Sequence, residues 1–453
     1  MRRLTIALAL LAVALATGAD GGTAAAPARV VNGFFASWDI YGRGYYVKDI
    51  PAAGVTHLSY AFAKPTAAGT CGVGDEWADY EQVHWDGSTT VDGNADAYPA
   101  QTLYGNFNEL RKLKAAHPDL KILMSIGGWT FSTYFSDVAA AGASRAQFAA
   151  SCIDMFIKGN LPRAVWPENA GGPGTAAGIF DGIDIDWEYP GTDPGNGAHY
   201  TAADRHNATL LLQELRRQLD ALGAATGRHY LLTAALPAGN VNSVGSFELA
   251  PVARTLDWIN LLTYDFHGPW DTTTNFNSPF AVDAADPTPA AYRPFFNVAG
   301  TVDLYRANGV PAEKLVVGVP FYARQYAHVA SVNRGLYQPF DNTGLDPNTL
   351  QWDATPTPTY HDLVDVARIV TPTASYGNDG RGLRGFVRSW NEGAGEPWLY
   401  SSSAQRFISY DDPHSVAERV HYIHSRGLRG AMFWEISQDD DAHDLVNALA
   451  ALR

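Results

Sequence analysis

Short apolar runs recur along the chain, each closed by polar, glycine or aromatic residues. They occupy 30–35, 56–62, 122–126, 178–187, 230–236, 258–264, 315–322 and 430–434. Each has the length and composition of a buried strand. Between most of them apolar residues return at helical spacing. In 103–116, Leu110, Leu113 and Ala116 share a face, and 147–158 and 207–222 carry longer stripes. Asp412 followed by Pro413 reads as an N-cap and a proline at the first helical position, and Gly427 as the stop of the same helix. Strands alternating with helices predict a parallel α/β fold, and eight such units is the number of a (β/α)8 TIM barrel. An open doubly wound sheet is the alternative, but the GxGxxG and GxxxxGK[ST] motifs that usually accompany it do not occur.

The spacing of the runs is uneven. About a hundred residues separate Tyr322 from Gly430, far more than an ordinary connection in such a fold. This stretch carries glycine- and aromatic-rich runs at 385–390 and 398–401. It predicts an inserted subdomain between strands 7 and 8, over roughly 325–408, on the side of the barrel where active sites form. The barrel itself is then 27–324 together with 409–453. Ahead of it, Arg2 and Arg3 precede an apolar run over 4–16 and small residues over 17–26. That is the layout of a signal peptide over 1–26, too short to span a bilayer; a buried N-terminal helix is the competing reading. Export implies an extracellular, oxidising setting in which Cys71 and Cys152 are candidates for a disulfide, although sequence does not show whether they lie close together.

Composition narrows the function. With 46% hydrophobic and 17% charged residues among 453, the chain is globular. Lys and Arg number 32 against 47 Asp and Glu, a net charge of −15, which argues against nucleic acid and against an anionic membrane surface as partners. The 12 tryptophans suit either a pocket for flat apolar ligand faces or core packing. Two cysteines rule out a disulfide-dense scaffold and a four-cysteine zinc site.

The chemistry concentrates in Asp181-Gly182-Ile183-Asp184-Ile185-Asp186-Trp187-Glu188. Strand side chains alternate faces, so Gly182, Asp184, Asp186 and Glu188 share one face, and Ile183, Ile185 and Trp187 the other. In a barrel the first face points inward and stacks three carboxylates, with Glu188 nearest the rim. A solvated acidic face and a calcium site are the alternatives. Stacked carboxylates in a confined site titrate together and retain a proton, which is how a glutamic acid serves as general acid near neutral pH. An acid beside a second carboxylate is what glycosidic bond cleavage requires.

The motif Asp181-x-x-Asp184-x-Asp186-x-Glu188 resembles the signature of glycoside hydrolase family 18, the chitinases and their relatives. Other segments agree, in the family's order: Ser125-Ile126-Gly127-Gly128-Trp129 at the end of the third strand, Leu262-Thr263-Tyr264-Asp265 with Gly268 and Trp270 on the sixth, Gly318 to Arg324 on the seventh, and Trp434 with Glu435 at the end of the eighth. The long insertion resembles the α+β domain of the secreted bacterial type.

The resemblance implies Glu188 as general acid and base, with the substrate's own 2-acetamido group as nucleophile. Asp186 would hold the acetamido N–H, Asp184 would share a proton with Asp186, and Tyr264 would align the acetamido carbonyl. Asp181, of opposite parity, is read as structural. Trp434 would floor the sugar subsite, with Trp129 and Trp270 as walls, and Asp265, Tyr322, Arg324, Phe62 and Phe34 as further sugar contacts. Trp390 and Trp398, in the insertion, are left open between sugar contact and packing. Leu262 replaces the family's usual Met, and Phe34 stands where Tyr is common. No cofactor or metal is implied; Glu418, His421 and His424 read as an exposed helix face, and Asp439 to Asp441 as a solvated or capping cluster. The expected partner is chitin or its oligosaccharides, and the expected enzyme is a monomeric, secreted, retaining chitinase. An endo-β-N-acetylglucosaminidase acting on N-glycans is the second reading, and a chitin-binding lectin the third.

Overall fold

The computed structural model describes residues 29–345, 357–371 and 382–453. The signal segment expected over 1–26 lies outside them. Every one of the eight apolar runs contains a strand: β1 (Val30–Ala36), β2 (His57–Pro65), β3 (Lys121–Gly127), β4 (Gly182–Asp186), β5 (Leu231–Pro237), β6 (Trp258–Leu262), β7 (Leu315–Pro320) and, after four strands of a second sheet, β12 (Gly430–Trp434). They pair in parallel in sequence order, and β12 and β1 close the circle, with Asn32 opposite Met432. The result is a closed eight-stranded barrel with helices around it.

Two apolar layers explain the closure. Ile183 and Ile185 on β4, with Trp187 just after it, point outward and pack with helix residues such as Leu211 and Leu215 in one large core. Phe34, Leu123, Ala235, Trp258, Val316 and Met432 fill the barrel interior. The alternation read from the sequence thus sorts each strand between these layers. Helices α1 (Gly105–Ala116), α2 (Gly142–Cys152), α3 (Asp204–Thr226) and α4 (Pro413–Arg426) lie among those on the outside. The ends of α4 follow the sequence signals. The Asp412 carboxylate accepts the N–H groups of His414 and Ser415, and Gly427 closes the helix at φ 63°.

The run 178–187 gives a shorter strand than its apolar length suggests. Gly178 turns the backbone at φ 82°. Asp181 faces away from the barrel interior, where its Oδ2 accepts the Ile122 N–H at 2.9 Å and pairs with Lys114 at 2.6 Å. Cys71 and Cys152 form a disulfide, Cα atoms 5.0 Å apart, tying the segment after β2 to the end of α2.

A second, antiparallel sheet is built from β8 (Arg324–Tyr326), β9 (Val387–Asn391), β10 (Glu396–Ser401) and β11 (Arg406–Ser409), in the order β9-β10-β11-β8. It has its own core, which includes Tyr326, Leu336, Trp398, Tyr400 and Phe407. This is the small insertion between the seventh and eighth barrel strands. Among the described residues no helix is long and apolar enough to cross a membrane.

Candidate active site

The C-terminal ends of the barrel strands open into a cleft of about 640 Å³. Asp186, Glu188, Tyr264, Asp265, Tyr322, Arg324, Phe62, Trp129 and Trp434 all line it. Glu188 stands just past the end of β4, and its backbone is fixed rather than loose. Its N–H donates to the Ser132 hydroxyl at 3.0 Å, and its C=O accepts the Asn196 amide at 3.2 Å.

The three stacked carboxylates differ in surroundings. Asp184 is fully buried. Its Oδ1 accepts the Asn260 amide at 3.1 Å and the Thr233 hydroxyl, and its Oδ2 accepts the Ser125 hydroxyl at 2.8 Å. Burial raises its pKa while these donors oppose the rise. Asp186 is pushed well above the ordinary carboxylate range, first by burial, then by the negative charges of Glu188 and Asp184. Its Oδ1 is buried with no hydrogen-bond partner among the described residues. Glu188 is raised to about 7, chiefly by burial and also by Asp265, against a lowering hydrogen bond with the Tyr189 side group. A carboxyl at that value is protonated through much of the neutral range and can both give and retake a proton.

Around this column lies an aromatic shell. Phe62 stacks on Trp434 with centroids 5.5 Å apart and ring planes 14° from parallel, and Trp38 approaches the same indole at 6.3 Å. Trp129 and Trp270 stand exposed, at 51% and 58%. On the opposite side Arg324 pairs with Asp265 and lies over the rings of Trp270 and Tyr322, at 5.0 and 5.2 Å. The Tyr264 ring meets Tyr322 edge-on at 6.0 Å.

Several expected sites lie elsewhere. Phe34 is 1% exposed, because its inward parity on β1 puts it beneath Trp434 and Phe62 in the barrel interior; it supports the floor and does not reach the cleft. Trp398 is buried in the insertion core with its indole N–H on the Arg334 C=O, and Trp390 stacks on His414 at 4.2 Å, so both pack within the protein. Asp439 and Asp440 are buried and accept the N–H groups of Leu445, Val446 and Asp444; they cap the last helix rather than face solvent. His361, Asp365 and Asp441 are close enough together to hold an ion, but none of them lines the cleft.

Sequence reading missed Trp38, Tyr189 and Gln438, which also line the cleft. All three follow the C-terminal ends of barrel strands by a few residues. An aromatic or amide residue directly after such a strand was the available signal.

The comparisons with known proteins agree with this geometry. The model of the family described as "Glycosyl hydrolases family 18" matches residues 30–439. Chitinase A1 of Niallia circulans is 38% identical over 446 residues, covering 92% of this chain and 57% of its own length. Endochitinase 1 of Metarhizium robertsii is 33% identical over 413 residues, covering 91% of this chain and 82% of its own. The chain therefore spans little more than half of the first relative and most of the second. Among solved structures, the catalytic domain of psychrophilic chitinase B from Arthrobacter TAD20 superposes with a TM-score of 0.81 at 33% identity, over 93% of this chain and 94% of that one.

Proposed function

The chain belongs to glycoside hydrolase family 18, and on that premise we propose that it is an exported chitinase that cleaves β-1,4 bonds between N-acetylglucosamine units with retention. The observation that carries this reading is the pairing of a carboxyl raised to about 7, Glu188, with a second buried carboxyl, Asp186, in a cleft beside Trp434.

In this reading the Glu188 carboxyl protonates the glycosidic oxygen. No enzyme carboxylate attacks the sugar; the acetamido carbonyl oxygen of the bound sugar bonds to C1 as the leaving sugar departs, and an oxazolinium ion forms. Asp186 accepts the acetamido N–H and offsets the positive charge, which uses the oxygen left without a partner in the free protein. The Tyr264 hydroxyl donates to the acetamido carbonyl and keeps it in line with C1. Glu188, now a carboxylate, takes a proton from water. The resulting hydroxide oxygen bonds to C1 from the face the leaving group left, and the acetamido group is restored. Two inversions give net retention. Asp184, held by Ser125, Thr233 and Asn260, supplies a fixed negative charge beneath Asp186. Export rests on the Arg2-Arg3 flank, the apolar run 4–16 and the small residues that follow.

The test is digestion of a chitin hexamer with the anomers of fresh products read by NMR, wild type beside Glu188→Gln. β-Anomers from the wild type and none from the variant are expected. α-Anomers would sink the retaining scheme. No cleavage of the hexamer by the wild type would move the substrate to N-glycans.

A further inference from the structure

The long connection from β6 to β7 folds back across the mouth of the barrel, and at Asn277 it touches three separate elements. Asn277 is 1% exposed. Its amide Oδ1 accepts the Asp265 N–H at 3.0 Å, and its backbone carbonyl accepts the Phe266 N–H at 3.1 Å. Its amide Nδ2 donates to the Tyr322 C=O, just after β7, at 3.4 Å. Its backbone N–H donates to the Ser409 hydroxyl, on β11 of the insertion sheet, at 2.8 Å. The next residue continues the grip. Ser278 donates its hydroxyl to the Thr263 C=O at 2.7 Å, and its own C=O accepts the fully buried Arg419 guanidinium at 2.6 Å.

The segment so gripped carries Tyr264 and Asp265. Asp265 has φ 55°, a left-handed conformation that a residue with a Cβ adopts at a cost, so something must hold it there. The bond from its N–H to Asn277 Oδ1 is placed to do so. Asp265 in turn pairs with Arg324 and is hydrogen-bonded by Tyr322. The backbones of Asp265, after β6, and of Tyr322, after β7, thus hang on a single buried amide.

We propose that Asn277 is a positioning residue for the reaction: its side-chain amide locks the Asp265 and Tyr322 backbones into one frame and fixes the Asp265 carboxylate relative to Glu188, while its backbone N–H ties that frame to the insertion sheet. The inference rests on Glu188 being the general acid. Glu188 is faced by Asp186 and Tyr189 from its own segment, by Tyr264 and Asp265 from the end of β6, and, across Asp265, by Tyr322 and Arg324 from the end of β7; Asp265 is the charge from outside its own segment that acts on it.

The experiment is the pH profile of kcat/KM on a chitin hexamer for wild type, Asn277→Ala, Asp265→Asn and the double variant, with thermal unfolding of each. Asn277→Ala is expected to lower kcat/KM by about 10- to 100-fold, the range for small misplacements of catalytic groups. Its basic limb is expected to move to lower pH as the Asp265 charge drifts from Glu188. In the Asp265→Asn background, where that charge is already gone, Asn277→Ala is expected to move the limb no further. A folded Asn277→Ala variant with wild-type kcat/KM, a lowered rate with an unmoved limb, or a limb shift that persists in the Asp265→Asn background would each overturn the proposal. Should Asn277→Ala fail to fold, Ser409→Ala loosens the same frame from the insertion side and is expected to move the limb in the same direction; an unmoved limb there overturns it. A wild type that leaves the hexamer intact would instead count against the chitinase reading.

Discussion

Asp184 and Asp186 share one face of β4, yet Asp184 meets three donors and Asp186 Oδ1 meets none among the described residues. The two carboxyls therefore answer differently to the same substitution. Asp184→Asn puts an NH2 group where a donor already points, leaving a buried donor unsatisfied. It should destabilise the fold by about 1–3 kcal/mol and lower the rate as well. Asp186→Asn removes a carboxyl whose ionised form is opposed by burial and by its neighbours' charges, so stability should hold or rise, while kcat falls by on the order of 10²–10⁴. Urea unfolding beside hexamer hydrolysis reads both effects. An Asp186→Asn enzyme with wild-type kcat would defeat the acetamido scheme.

Glu188 gives a pH signature with a fixed sign. Its pKa rises from the ordinary 4.5 to about 7, mainly by burial, so the acid form persists up to that point. kcat/KM should fall as pH rises through about 7. Stability follows the same group. The folded state favours the protonated form, so its contribution is complete below 4.5 and is lost as pH rises through 7. Glu188→Gln does not titrate there. Denaturation midpoints should therefore show the variant gaining on the wild type between 4.5 and 7, with a constant gap above. A gap independent of pH would show that Glu188 is not raised in the free enzyme.

The Cys71–Cys152 bridge closes a sequence separation of 81 residues that contains β3 and all of α1. A loop of that size restricts the unfolded polypeptide, and the entropic account assigns about 4 kcal/mol to it. Neither cysteine lines the active-site cleft. Reduction, or Cys152→Ser, should lower the unfolding free energy in urea by that much while leaving kcat at moderate temperature nearly unchanged. Equal loss of kcat and stability would tie the bridge to the cleft instead.

The barrel was legible because its strands are buried on both faces, and such strands read as short apolar runs wherever they occur. The acidic face of β4 was legible for the same geometric reason: period-two alternation fixes which residues share a face, whatever surrounds them. What alternation cannot give is depth. Phe34 has the inward parity of a cleft residue, but it sits below the rim, under Trp434. Trp38 and Tyr189 line the cleft from positions beyond the strand ends, where periodicity no longer applies. Asn277 was invisible for a further reason. Its role depends on bonds to Asp265, Tyr322 and Ser409, and no local pattern brings those three to one residue.

Two tryptophans separate sugar binding from packing. Trp434 is only partly buried, lines the cleft, and is backed by Phe62 and Phe34, each 5.5 Å away. Its open face is the surface on which the apolar face of a sugar ring can stack. Trp398 is 6% exposed in the insertion core, with its N–H bonded to the Arg334 C=O. Trp434→Ala, placed in the inactive Glu188→Gln background, should weaken chitin-hexamer binding by about 10- to 100-fold, since central aromatic anchors are worth about 2 kcal/mol or more and each 1.4 kcal/mol is tenfold. Trp434→Phe keeps a smaller stacking face and should lose less. Trp398→Ala leaves a cavity and should cost about 3–5 kcal/mol of stability, with binding unchanged in whatever fraction stays folded. Calorimetric titration of the hexamer and urea unfolding of both variants give the comparison. If Trp434→Ala loses stability but binds the hexamer as tightly as its parent, the indole packs the barrel mouth and the sugar lies elsewhere along the cleft.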